Sequence, residues 1–237
     1  MNFLKSNAFS AFALTAALTG LLSLTPVNVL AADTPRLTET IHKLDAASAK
    51  FQSAQADFKK DLYERVVKDT TTQTGAIYFV RKGPATQMGA KFATPAVKLV
   101  EFKDGMLKLY DPGTNHIQPY ASGDNRARFE SFLTLGFGGS GQDLVKAWTV
   151  DDQGSESIND GKGNLAVEKL VLTPKDPSVK NTFTQVTLWV DLDRGVSLKQ
   201  EFLAPSGDKQ TAFYTNIKYN QKVDLKPFEI KCKGSCS

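Results

Sequence analysis

The stretch Lys98-Leu-Val-Glu-Phe-Lys-Asp-Gly-Met-Leu-Lys-Leu-Tyr-Asp-Pro112 reads as two short strands around one tight turn. An Asp-Gly pair suits the positive-φ positions of a two-residue hairpin. Upstream, Ala54, Ala56, Phe58, Lys60 and Leu62 alternate with polar neighbours in a long strand pattern. Thr74 to Val80 places Ile77 and Phe79 on one face and Tyr78 and Val80 on the other. Asn115 to Tyr120 follows the turn Asp111-Pro-Gly113. Successive hairpins with no helix between them require antiparallel pairing.

Strand patterns return at Trp148 to Asp151, Asn164 to Leu172, Thr184 to Val190, Val196 to Leu203 and Gln210 to Tyr219. The turns between them are Asp160 to Gly163, Asp193 to Gly195 and Pro205 to Asp208. A helix is expected from Thr34 and Pro35 to near Phe51, because Leu37, Ile41 and Leu44 recur at helical spacing, with Ser48 or Phe51 next on that stripe. His42 falls off the stripe and reads as a solvated side chain. Two further helices are expected, Arg126 to Leu135 and Gln142 or Asp143 to Ala147. Between them Gly136-Phe-Gly-Gly-Ser-Gly141 reads as a mobile joint; it lacks the lysine and hydroxyl residue of a phosphate-cradling loop. The pattern predicts one antiparallel sheet interrupted once by helices, within a single domain.

The chain has 237 residues, 41% hydrophobic and 23% charged, with 29 basic and 25 acidic side chains. A formal charge of +4 spread along the chain is not the concentrated basic face of a nucleic-acid binder. Lys5 and the uncharged run from Phe9 to Leu24 have the form of an export signal, with cleavage expected after Ala31. The mature domain is then 32–237, and the periplasm is its simplest destination. Cys232 and Cys236 are the only cysteines. In an oxidising compartment they can close a small loop, stabilising by about 2 kcal/mol before strain; free or intermolecular thiols are the alternatives.

Catalytic arrangements are missing from the sequence. His116 has no serine or cysteine elbow, and no H-E-x-x-H occurs. Asp191 and Asp193 run into the Gly195 turn and read as solvated turn residues. Asp151 and Asp152 alternate faces. No cofactor, metal site or catalytic residue is expected. What stands out is the aromatic supply of 15 Phe, 6 Tyr and 2 Trp. A curved sheet covered by few helices could open its interior to an apolar ligand, or hold an ordinary filled core.

Several of these segments together resemble the LolA-like periplasmic lipoprotein carriers. Gly75-Ala-Ile-Tyr-Phe-Val-Arg-Lys-Gly-Pro84 looks like that family's glycine, strand and basic-proline turn, and the stretch from Lys98 to Pro112 like its hairpin. Val171-Leu-Thr-Pro-Lys175 and the strands after Gly207 are similar to its later elements. The resemblance implies an unclosed antiparallel β-barrel of about 11 strands, covered by an N-terminal helix and a helical lid insert. It implies a monomeric carrier of lipoprotein acyl chains or another lipid. Its partners would be an inner-membrane lipoprotein-releasing transporter and an outer-membrane acceptor. A non-transport lipid-sensing or structural protein of the same fold is the alternative. The family's gate arginine falls at Arg81 or Lys82, with Gly83 standing between that pair and Pro84; the planar guanidinium makes Arg81 the better gate. Met88 and Ala90 replace the family's aromatics and imply a cavity of different shape.

The apolar lining is expected to include Phe58, Leu62, Ile77, Phe79, Leu99, Leu109, Leu188 and Leu198, each of which could equally be plain core. Phe129, Phe132, Leu133 and Phe137 are expected to move with the lid on the glycine joint.

Overall fold

The computed structural model describes residues 35–83, 85–121, 135–232 and 234. The expected leader lies outside them, as does the helix expected from Arg126, apart from Leu135; Phe129, Phe132 and Leu133 therefore lie outside them too. The chain separates into Met1–Ala32 and Asp33–Ser237, and the fold is that of the second unit.

Helix α1 (Pro35–Lys50) precedes six strands: β1 (Ser53–Glu64), β2 (Asp69–Lys82), β3 (Ala85–Thr94), β4 (Lys98–Lys103), β5 (Met106–Asp111) and β6 (His116–Ala121). After it come α2 (Gly141–Ala147), β7 (Trp148–Asn159), β8 (Asn164–Pro174), the short α3 (Pro177–Lys180), β9 (Gln185–Asp191), β10 (Val196–Leu203) and β11 (Lys209–Tyr219). All 11 strands form one sheet in the order β6-β5-β4-β3-β2-β1-β11-β10-β9-β8-β7. Every neighbouring pair is antiparallel. The sheet does not close: β6 and β7 are its edges, and residues 122–147 connect them in sequence. No helix among the described residues is long and apolar enough to cross a membrane.

Alternation fixes an inner face. Phe58 on β1 stands opposite Gly75 on β2 and Tyr214 on β11, and Ala56 opposite Ile77. The set continues through Met88 and Ala90 on β3 to Val100 and Phe102 on β4. On the other half it runs through Gln200, Leu188 and Leu170. Gly75 is required by packing, because a Cβ there would meet the Lys91 carbonyl at 2.1 Å and the Phe58 ring at 2.8 Å.

α1 lies against this face through Leu37, Ile41, Leu44 and Ser48 of the stripe read from its spacing, with Thr40 and Ala47 buried beside them. Phe51, one residue past the helix end, is 2% exposed and belongs to the sheet's core. Asn220 fixes the exit from α1: its Oδ1 accepts from the amides of Gln52 and Ser53, and its Nδ2 donates to the Lys50 carbonyl. A terminal helix carbonyl that would otherwise lack a partner is thereby satisfied. On the outer face, the segment after β11 brings Phe228 edge-on against Tyr78, with ring centroids 4.8 Å apart. Tyr110 there donates its hydroxyl to the Lys231 carbonyl. Cys236, the expected partner of Cys232, lies outside the described residues.

Candidate functional site

Where β2 ends, Arg81 reaches across to α1. Its Nη1 donates to the Ser48 carbonyl at 2.7 Å and its Nη2 to the Gly138 carbonyl at 2.6 Å. The Ser48 hydroxyl donates to the same Gly138 oxygen at 2.8 Å. The guanidinium carbon lies 5.6 Å from the centre of the Phe51 ring. One fork therefore holds two backbone segments, and one of its acceptors sits in the last turn of a helix, where the carbonyl end of the dipole favours a cation. Lys82 is exposed, and no contact from its side chain to α1 is found among the described residues.

The segment after Leu135 is pinned, which corrects the expectation of a mobile joint. The Ser197 amide donates to the Gly136 carbonyl at 2.7 Å, the Gly138 amide donates to the Gly195 carbonyl at 2.9 Å, and Phe137 forms a bridge with Val196. Gly136 and Gly138 have φ near +77° and +75°. A Cβ on Gly136 would lie 2.1 Å from Ser197 Oγ, and one on Gly138 2.3 Å from the Phe51 ring. Gly136 and Gly138 serve close approach here, not freedom. Phe137 is 1% exposed, stacked on Phe79 at 4.1 Å and edge-on to Tyr214 at 4.9 Å. It is an anchored core residue instead of a rider on the lid.

A buried polar chain supports the same segment. The Tyr214 hydroxyl donates to Gln200 Oε1 at 2.9 Å, and Gln200 Nε2 donates to the Leu135 carbonyl at 2.6 Å. Burial pushes the Tyr214 phenol far up, so it stays a neutral donor. α2 begins directly beyond: Ser140 caps it by accepting from the Asp143 amide, and Asp45 of α1 accepts from the Gln142 amide.

Among the described residues, cavities lie along the sheet. One of about 440 Å³ runs between α1, the 135–148 segment and β8–β9, touching Leu44, Ser48, Arg81, Leu170, Leu188 and Val190. A second, of about 180 Å³, is lined by Ile77, Phe79, Phe137, Phe202, Tyr214 and Lys60. Leu135 borders both. The third, about 470 Å³, lies on β3–β6 around Phe92, Val100 and Leu109.

Of the residues expected as lining, Ile77, Phe79 and Phe137 meet at the second cavity, Leu188 at the first and Leu109 at the third. Phe58 and Leu198 are buried in the core, Phe58 packing edge-on against Phe92 at 5.1 Å. Leu62 follows Lys60 on the inner face of β1, opposite Gln210. Leu99 is a correction. It borders the third cavity, but it pairs with Tyr110 and Lys91 in the alternate register and so belongs to the face opposite Val100 and Phe102. Asp191 is a second one: it is 9% exposed and bonded to Arg194 Nε at 2.6 Å, not solvated. The polar contacts of Ser48, Gln200 and Tyr214 were not foreseen, since nothing local marks a polar residue whose partner stands on a different element.

No family model matches the chain. No curated protein matches it either. Solved structures do match. MucB is 16% identical with a TM-score of 0.53, over 84% of this chain and 64% of that one. An uncharacterised conserved protein from Thermus thermophilus is 11% identical with a TM-score of 0.52, over 84% and 96%. A LolA superfamily protein from Nitrosomonas europaea is 15% identical with a TM-score of 0.39, over 82% and 97%. The chain spans less than two thirds of the MucB chain. These are likenesses of fold. The architecture itself, an unclosed antiparallel sheet of 11 strands with α1 against its inner face, is the open barrel that the sequence resemblance implied.

Proposed function

We propose that the protein is a periplasmic carrier that takes up the acyl chains of lipoproteins, or of a related lipid, and moves them between the inner and outer membranes. The observation that carries this reading is the Arg81 fork. It fastens α1 to the 135–141 segment above an inner face that retains cavities of about 440 and 180 Å³. Acyl chains gain about 25 cal/mol for each Å² of apolar surface withdrawn from water, so water alone does not release them. A carrier of such cargo exchanges one apolar cover for another. Parting the Arg81 contacts unfastens α1 from the glycine segment, which keeps its own bonds to Gly195 and Ser197, and acyl chains then replace the packing of Leu44 against Leu170 and Leu188. No covalent step is involved. An inner-membrane releasing transporter and an outer-membrane acceptor are the partners this role requires.

Native mass spectrometry of the protein recovered from a periplasmic extract tests the reading. The expected result is an added mass that denaturation releases as an acylated molecule. A bare chain that also fails to take up lipid from vesicles would overturn it.

A further inference from the structure

Lys60 occupies an inward position on β1. Along the strand Ala54, Ala56, Phe58, Lys60 and Leu62 share one face, and Lys60 stands opposite Gln73 of β2 and Ala212 of β11. The side chain borders the 180 Å³ cavity beside Phe79, Phe137, Phe202 and Tyr214. It makes no ion pair or hydrogen bond among the described residues. The contrast with the residues on either side is direct: Lys59 and Asp61 belong to the other face and pair with each other at 3.0 Å. The two polar groups nearest in kind, Gln200 and Tyr214, are committed to one another and to Leu135. Burial pushes the Lys60 ammonium pKa down.

Lys60 is half-buried, and a cation partly withdrawn from water beside aromatic rings is costly unless an anion meets it. Lys60 is therefore the polar end of an otherwise largely apolar space. Resting on the carrier reading above, we propose that the cargo is an anionic amphiphile whose carboxylate or phosphate oxygen is held by Lys60, its chains lying along the inner face. The triacylated end of a lipoprotein carries no such group, so this site selects among the cargoes that the carrier reading leaves open.

The test uses the delipidated mature chain and displacement of a fluorescent fatty acid. The competitors are oleate, lysophosphatidylglycerol and the neutral lipid monoolein. Wild type is expected to bind oleate or lysophosphatidylglycerol about tenfold more tightly than monoolein, and the tighter of the two identifies the anionic group. In Lys60→Met that preference is expected to fall to about one, and in Lys60→Arg to persist. Equal affinity for all three lipids in wild type, or an undiminished preference in Lys60→Met, overturns the assignment while leaving the carrier reading standing. Failure of wild type to bind any of the three removes both.

Discussion

Arg81 and Lys82 are adjacent cations at the end of β2, and only the first touches α1. A strand sends neighbouring side chains to opposite faces, so the choice between them is one of face before it is one of chemistry. Replacing Arg81 with Leu removes charge-assisted bonds to two carbonyls and is expected to cost about 1–3 kcal/mol. Lys82→Leu should lie within about 0.5 kcal/mol of wild type. In an assay that separates lipid loading from transfer to acceptor vesicles, Arg81→Leu should load and then transfer poorly. Wild-type behaviour in both variants would remove the gate role. Gly138→Ala must place a Cβ against Phe51 at positive φ and is expected to destabilise by about 2 kcal/mol or more, measured by urea unfolding. Gly139→Ala, with open space around it, should be nearly neutral. The family resemblance made Arg81 or Lys82 legible as the gate, and the planar guanidinium favoured Arg81. The sequence made Lys60 visible only as a lysine at an apolar beat of a strand. Gly136 and Gly138 looked like freedom because nothing local shows that Ser197 and Phe51 press on them.

At the scale of elements, α1 is docked at its other end by a carboxyl pair. Thr40 donates to Asp152 Oδ2 at 2.8 Å, Arg36 Nε lies 3.2 Å from Asp152 Oδ1, and Ser155 donates to Glu168 Oε2 at 2.6 Å. The Asp152 and Glu168 carboxyls interact, each acting on the other's affinity for a proton. Burial first, and then the neighbouring Asp152, hold the Glu168 carboxyl above its ordinary value of 4.5. Burial acts on Asp152 in the same direction, but bonds with Glu168, Thr40 and the Gly154 amide, together with Arg36, outweigh it and hold Asp152 low. The stability due to Glu168 is thus full below its ordinary pKa and is lost as pH rises through the raised value. That due to Asp152 is present above its ordinary pKa and is lost as pH falls through the depressed one. Glu168→Gln keeps the neutral form at every pH, so its thermal midpoint should gain on wild type from pH 4.5 towards neutrality. Parallel curves would show that the pair shares no proton. The hairpins themselves were readable: Asp104 and Gly105 have φ of 52° and 76°, as a two-residue turn of that composition requires. β3 was not, because its small residues Gly89 and Ala90 give little alternation; Gly89 is needed where the Tyr78 ring lies against the strand. β7 runs on to Asn159 past a bulge near Gly154, which breaks the period that marked its first four residues.

For the molecule as a whole, the first and last strands meet in the middle of the sheet while the edges come from the middle of the chain. Amides of β1 and β11, each flanked by partners on both sides, are expected to exchange with deuterium most slowly, and those of the six-residue edge strand β6 fastest among the strands. Slow exchange in β6 with fast exchange in β11 would contradict this ranking. The meeting of β1 and β11 also bears on the order in which the protein is made. As the chain emerges, β1 to β6 can pair in turn, each with the strand just before it. The far side of β1, 12 residues long, has no partner until β11, the last strand, has been delivered. A half-built protein therefore presents an open backbone edge beside an uncovered apolar face, the combination that recruits wrong partners. That vulnerable interval opens with β1 and ends with the arrival of one strand, β11.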